Sequence, residues 1–236
     1  MKHVTRVLLA LPMLMTLLWL RFLPDQVPMH YNLQGQADRL GPKWELLLLP
    51  GILLGMGLVT ELAASAMERR SKTGEDGQQE AYRQSNAKVA RVIILSIALL
   101  FTGIQFALLL GAAKATRGET DQAPELLMRV VPVSIGLFMM AMGNVMPKTR
   151  RNSAVGFRCG WTQYNETTWR RGNRFAGMAS IAAGLVMILG GLLLPVSWSV
   201  AVTLVPLSVM TVVCLIYAHR VWRQVSAQEP ADESGS

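Results

Sequence analysis

Between Phe175 and Ala218 there is not one Asp, Glu, Lys, Arg or His in 44 residues. Charged residues make up only 16% of the 236-residue chain, against roughly 25% in soluble globular domains. The uneven spread of that scarcity excludes a soluble fold. As one helix, the 44-residue run would extend about 66 Å, near twice the ~30 Å hydrocarbon core of a bilayer. It must fold back on itself, and Leu194-Pro195-Val196-Ser197-Trp198 is the hinge. Val92 to Ala113 is a second uncharged run, of 22 residues, long enough to span on its own.

Other absences narrow the function. Only two cysteines occur, Cys159 and Cys214, so no disulfide framework organises the chain. A Gly-rich phosphate loop, HExxH, GxSxG and a paired-Cys metal motif are all missing. A nucleotide-driven machine or a familiar hydrolase therefore has no support, and no catalytic residue, metal or cofactor is expected. Acidic residues number 15 against 23 basic ones, a net charge of +8. In a chain with these apolar runs, basic charge reports orientation rather than a nucleic-acid partner.

What is present is a series of apolar segments, predicted to span at about 4–23, 46–66, 92–113, 127–146, 175–194 and 198–218. The expected fold class is all-α, a polytopic integral membrane helical bundle with six transmembrane helices. Lys2, His3 and Arg6 precede Val7 to Leu20, but no small-residue cleavage pattern follows, so this segment reads as a retained anchor. Counting alternate sides, 17 of the 23 Lys/Arg fall at the N-terminus, in 67–91, in 147–174 and after the sixth span. That bias predicts both termini in the cytoplasm. The organisation expected is a two-span unit with an outer loop (1–66), a solvated cytoplasmic connector (67–91), a four-span unit with an inner loop (92–222) and a disordered tail (223–236). Small residues four apart predict helix contacts at Gly51 and Gly55, at Gly103, Ala107 and Gly111, and at Ala176, Ser180 and Gly184.

Two polar stretches stand out against this background. The outer one runs LPDQVPMHYNLQGQAD from Leu23 to Asp38. Pro24 and Pro28 stiffen its start, and Gly35 permits a turn that could bring Asp38 back towards His30 and Asn32. Such a trio suits a proton, a metal or a polar ligand; alternatively, Asn and Asp bond the loop's own backbone. The inner stretch, Gly143 to Gly177, holds seven Lys/Arg and two Trp. Asn144 lies at the membrane end of the fourth span, where an amide needs a partner. Pro147 ends that helix. Arg158 and Arg174 suit an anionic group, a lipid phosphate or a peptide carboxylate. Trp161 and Trp169 suit the headgroup level. Within the spans, Glu61 is a functional candidate because a carboxylate there is costly, although Glu68 and Arg69 nearby leave open that it reaches the cytoplasmic interface. Gln105 reads as an interhelical hydrogen bond.

The outer stretch resembles a short domain of unknown function that precedes many SdpI-type membrane proteins, with the pattern L-P-x-x-[VI]-P-x-H-[WYF]-[ND]-x-x-G-x-x-D. Leu23, Pro24, Val27, Pro28, His30, Tyr31, Asn32, Gly35 and Asp38 fit it. The inner stretch resembles the SdpI signature itself. Gly143, Asn144, Pro147, Lys148, Asn152, Gly156, Phe157, Arg158, Trp161 and Thr162 match, followed by Trp169, Arg174 and Gly177. Asn173 stands where many relatives carry His, and Arg151 and Cys159-Gly160 replace residues often Pro-containing. The resemblance covers about residues 20–190. It implies a protein of the bacterial cytoplasmic (inner) membrane that gives immunity to, or senses, a membrane-active peptide toxin arriving from outside. It also implies a possible cytoplasmic repressor as partner. The alternatives are a proton-coupled exporter using Glu61 and Asn144, and a membrane enzyme built on His30, Asn32 and Asp38.

Overall fold

The computed structural model describes residues 2–32, 36–71, 77–115, 117, 125–149, 151 and 156–228. Six helices account for most of them: α1 (Lys2–Leu20), α2 (Leu48–Ser71), α3 (Gly77–Ala115), α4 (Glu125–Val145), α5 (Glu166–Leu193) and α6 (Ser199–Ser226). Five carry apolar stretches long enough to cross a membrane, and α1 adds a shorter apolar helix over Thr5–Leu20. This is the expected six-helix membrane bundle. Large apolar side chains such as Leu62, Leu193 and Val209 lie exposed on its flanks, as lipid rather than water requires.

Several helices run beyond the apolar stretches that define them. At 39 residues, α3 is about 58 Å long, and it begins well before Val92, in sequence of the supposed connector. Gln, Glu, Ala, Lys and Arg there are good helix formers, so polarity marks where the helix leaves the bilayer rather than where it ends. Likewise α5 begins at Glu166, before the apolar run. Asn165 caps it: its side chain accepts from Thr168 N–H at 2.9 Å, while Thr168 Oγ1 accepts from Asn165 N–H at 3.0 Å. That reciprocal box starts the helix nine residues ahead of the expected span.

The outer loop is not irregular. It forms an antiparallel hairpin of β1 (Gln26–Tyr31) and β2 (Ala37–Pro42), pairing Val27 with Gly41 and His30 with Arg39. Val27 is fully buried with Leu23, Leu46, Leu109 and Ala112, so the hairpin sits on the ends of α1 and α3. Lys43 ties its exit to its entry by donating to the Leu23 carbonyl at 3.1 Å and pairing with Asp25 at 3.1 Å.

The halves of the bundle are joined differently. Between α1 and α3, Gln105 Nε2 donates to Thr16 Oγ1 at 2.8 Å and to the Leu46 carbonyl at 3.0 Å. This is the interhelical bond the sequence suggests. Between α4 and α5, glycines let the backbones meet. A Cβ built on Gly143 would lie 2.5 Å from the Gly177 carbonyl oxygen, and one on Gly136 would lie 2.6 Å from that of Gly184. The pairs are reciprocal and seven residues apart on each antiparallel helix. Of the small-residue faces expected, Ala176, Ser180 and Gly184 are buried, and Gly103 lies against Ser134 and Val130. Gly51 approaches Met13, but Gly55 faces open space. It is Gly57, two residues on, that packs against Leu9.

Candidate functional site

The described part of the inner loop, from Gly156 on, docks on α5. At its centre lies Asn173, only 1% exposed. Its Oδ1 accepts from Phe157 N–H at 2.7 Å, and its Nδ2 donates to the carbonyls of Trp169 at 3.2 Å and Phe157 at 3.4 Å. One amide therefore holds the chain at Phe157 by both its donor and its acceptor. Gly156 makes this approach possible: its φ is +124°, and a Cβ there would lie 2.5 Å from Asn173 Oδ1. Only glycine adopts that backbone readily and leaves that space.

Trp169 and Thr162 complete the dock. Trp169 is fully buried, and its Nε1 donates to the Thr149 carbonyl at 3.0 Å. It is therefore a pin between the end of α4 and the start of α5, not an anchor in the headgroups. The Thr162 hydroxyl accepts from Cys159 N–H at 3.0 Å and lies 2.9 Å from the Phe157 carbonyl. That closes the tight turn through Cys159-Gly160. Trp161 is half-buried against α6, its ring centroid 4.9 Å from that of His219, which in turn stacks on Trp222. Pro147 lies in a single 3-10 turn, Met146–Lys148, that ends α4. Its ring packs where a Cβ on Gly177 would meet it at 2.9 Å. Asn144 is exposed and finds its partner in Lys148, whose Nζ donates to Asn144 Oδ1 at 3.3 Å. Asn152 lies outside the described residues. Arg158 and Arg174 are both exposed on this face. Arg174 lines a cavity of about 430 Å³ with Pro147, Thr167, Arg170 and Arg171.

At the opposite end, the outer hairpin brings His30 and Asp38 together, while Asn32 bonds Gln36. His30 Nδ1 and Asp38 Oδ1 are 2.6 Å apart on an exposed edge. Asn32 instead closes the hairpin: its Oδ1 accepts from Gln36 N–H at 2.9 Å, and its own N–H donates to the Gln36 carbonyl at 2.9 Å. Asn32 thus serves the loop's own backbone, whereas Asp38 serves His30. Tyr31, beside them, is half-buried, and burial raises its hydroxyl above the ordinary range, so it stays protonated at neutral pH. Among the described residues, no three of His, Cys, Asp and Glu gather into a metal-holding group.

Glu61 is buried between helices. It is 3% exposed, and its Oε2 lies 3.5 Å from Arg91 Nε, itself on a residue 6% exposed. The pair crosses from α2 to α3 close to Ala63 and Val89, where the two apolar stretches end and begin. Neither Glu61 oxygen has a hydrogen bond, so the ionic contact with Arg91 balances the carboxylate's burial. Asn144 is exposed at the end of α4 and bonds Lys148.

Sequence reasoning misses four features here. Arg91 abuts Val92 and falls to the connector, since nothing local links it to a carboxylate thirty residues away. Asn173 stands out only as a departure from the family pattern. The capping box Asn165-Glu166-Thr167-Thr168 was legible from its spacing. So was the pairing of Gly136 and Gly143 with Gly184 and Gly177, whose shared seven-residue interval is a helix-packing period.

Comparison with known proteins agrees with the motifs. Residues 148–218 match the SdpI/YfhL protein family. Residues 7–54 match a domain of unknown function (DUF1648). The chain is 19% identical over 181 residues to Immunity protein SdpI of Bacillus subtilis (strain 168), an alignment covering 77% of this chain and 76% of that protein. No solved structure matches it. The two matches fall in the order of the two polar stretches, on a multi-pass helical bundle, so this chain is similar to SdpI-type membrane proteins at both of them.

Proposed function

We propose that the protein gives a bacterium immunity to a membrane-active peptide, acting as an SdpI-like receptor in the cytoplasmic membrane. One observation carries the reading. The two stretches shared with the family coincide with the two ordered polar assemblies of the fold, one at each end of the bundle. A charge-biased loop that only set orientation would need no buried amide, no positive-φ glycine and no buried Trp to hold its shape.

In this account the hairpin meets the peptide from outside through the exposed His30–Asp38 pair, with Asn32 holding the hairpin's turn. The inner loop, through Asn144, Lys148, Asn152, Arg158 and Trp161, stabilises or reports the occupied state, with a cytoplasmic repressor as the proposed listener. No covalent step is involved. The signal arises because the peptide binds two helix arrangements unequally, the only way a ligand shifts such an equilibrium. Expression in a sensitive host challenged with the cognate peptide tests this. Wild-type protein protects, and His30→Ala and Arg158→Ala each lower survival roughly tenfold, about the loss of one charged hydrogen bond, with membrane insertion unchanged. Full protection by both variants removes the loops from the mechanism.

The buried Glu61–Arg91 pair favours a second reading, proton-coupled export, because ionisable pairs between spans mark proton paths. Proton-dependent efflux abolished by Glu61→Gln would select it over immunity.

A further inference from the structure

Arginines with structural duties in this protein are paired. Arg39 donates to both carboxylate oxygens of Glu45, and Arg129 bonds Glu125 and the Leu192 carbonyl at the end of α5. Arg170, Arg171, Arg174 and Arg220 differ. Among the described residues none of the four has a hydrogen bond or a carboxylate partner, yet they gather at one end of α5 and α6. Two open cavities meet there, of about 430 and 590 Å³, and both are lined by Arg171 and Arg174. Four like charges left side by side repel one another, so the arrangement calls for an anion.

The larger cavity says which kind. Arg171, Arg174 and Arg220 form its rim, and Phe175, Met178 and Tyr217 form its wall. Phe175 and Tyr217 stack with centroids 4.0 Å apart, giving a flat aromatic surface between α5 and α6. Along α5 the order is cation, then apolar: Arg171 is followed one turn later by Phe175, and Arg174 by Met178, on the same face. A free phosphate would use the rim and leave the wall idle. A phospholipid uses both, with its headgroup phosphate on the guanidinia and an acyl chain along Phe175 and Met178 into the bilayer. We propose that this groove is a binding site for an anionic phospholipid. Basic pockets between spanning helices on the cytoplasmic side have the chemistry for such headgroups, and guanidinium pairs phosphate in bidentate fashion. A lipid seated there joins α5 to α6 where the docked loop emerges, so the loop's stability depends on the leaflet beneath it.

The test uses the full chain purified in detergent, titrated separately with phosphatidylglycerol, phosphatidylcholine and inorganic phosphate, followed by thermal unfolding and by native mass spectrometry of retained adducts. Phosphatidylglycerol should raise Tm and remain bound, and the other two should do neither. Arg174→Gln should weaken phosphatidylglycerol binding roughly tenfold. Arg223→Gln, the same charge change on the same end of α6, should leave it within about twofold. Equal weakening by both variants would reduce the site to general surface charge and overturn it. Protection by inorganic phosphate, or by phosphatidylcholine to the same extent, would overturn the lipid assignment, and this arm holds even if a variant fails to fold.

Discussion

The first three helices and the last three solve one problem in opposite ways. Lipid removes the hydrophobic drive that joins helices in water, leaving close packing and interhelical polar bonds. The α1–α3 half uses polar side chains: Gln105 reaches Thr16 and Leu46, and Glu61 faces Arg91. The α4–α6 half uses backbone proximity at Gly136–Gly184 and Gly143–Gly177, adds hydroxyl contacts from Ser180 to the Met210 thioether and from Ser199 to the Met128 carbonyl, and docks the loop through Asn173 and Trp169. A polar joint can be altered by charge or protonation, whereas a glycine joint can only be held or forced apart. This half-by-half division suits the first half to respond and the second to present a fixed platform.

Breaking the ion pair should have the largest effect. Glu61→Leu or Arg91→Leu leaves its partner's charge buried alone, a cost of about 3–5 kcal/mol. The double variant should recover most of that, since an apolar pair needs no compensation. Thermal unfolding of the three variants in detergent measures it, and neutral single variants would break the contrast between the halves. Next comes Gly143→Val. The added carbons meet the Gly177 backbone, and a backbone cannot swing aside as a flexible side chain can. Overpacking of this kind costs about 1–3 kcal/mol or more. Gly55→Val, at a site with nothing within 4 Å, is the matched control, expected to be near neutral. Equal tolerance of both would show that the helices are not held by backbone contact. Smaller still is Asn173→Ala, which strands the Phe157 N–H for about 1–3 kcal/mol but releases only the loop. Hydrogen exchange at Phe157 should then rise while the protection of α4 and α5 stays unchanged.

The difference between the halves also marks what the sequence could reveal. Runs such as Phe175 to Ala218 exposed the membrane class because a bilayer filters charge over a whole span, a signal that no single residue carries. Helix ends escaped that filter. The segments at Gly77 and Glu166 are helical yet polar, since they lie beyond the bilayer. The hairpin was hidden because Val27, Met29 and Tyr31 alternate too briefly to stand out beside two prolines and a glycine. The pairing of Glu61 with Arg91 lay beyond reading, because it joins residues on different helices. In the inner loop the family residues were visible, but their duties were not. Trp169 reads as a headgroup anchor, and only packing reveals it as a buried pin.

The central claim is that a peptide bound at the hairpin alters the loop on the far side of the membrane, and a native thiol sits in position to report it. Cys159 is half-buried in the docked loop, its N–H held by Thr162, while Cys214 is buried in α6. Inside-out vesicles expose the loop face to a membrane-impermeant maleimide, with the cognate peptide sealed within or left out. The account predicts that peptide changes the Cys159 labelling rate severalfold, and that His30→Ala abolishes the change. An unchanged rate in vesicles from cells that the protein does protect would contradict it.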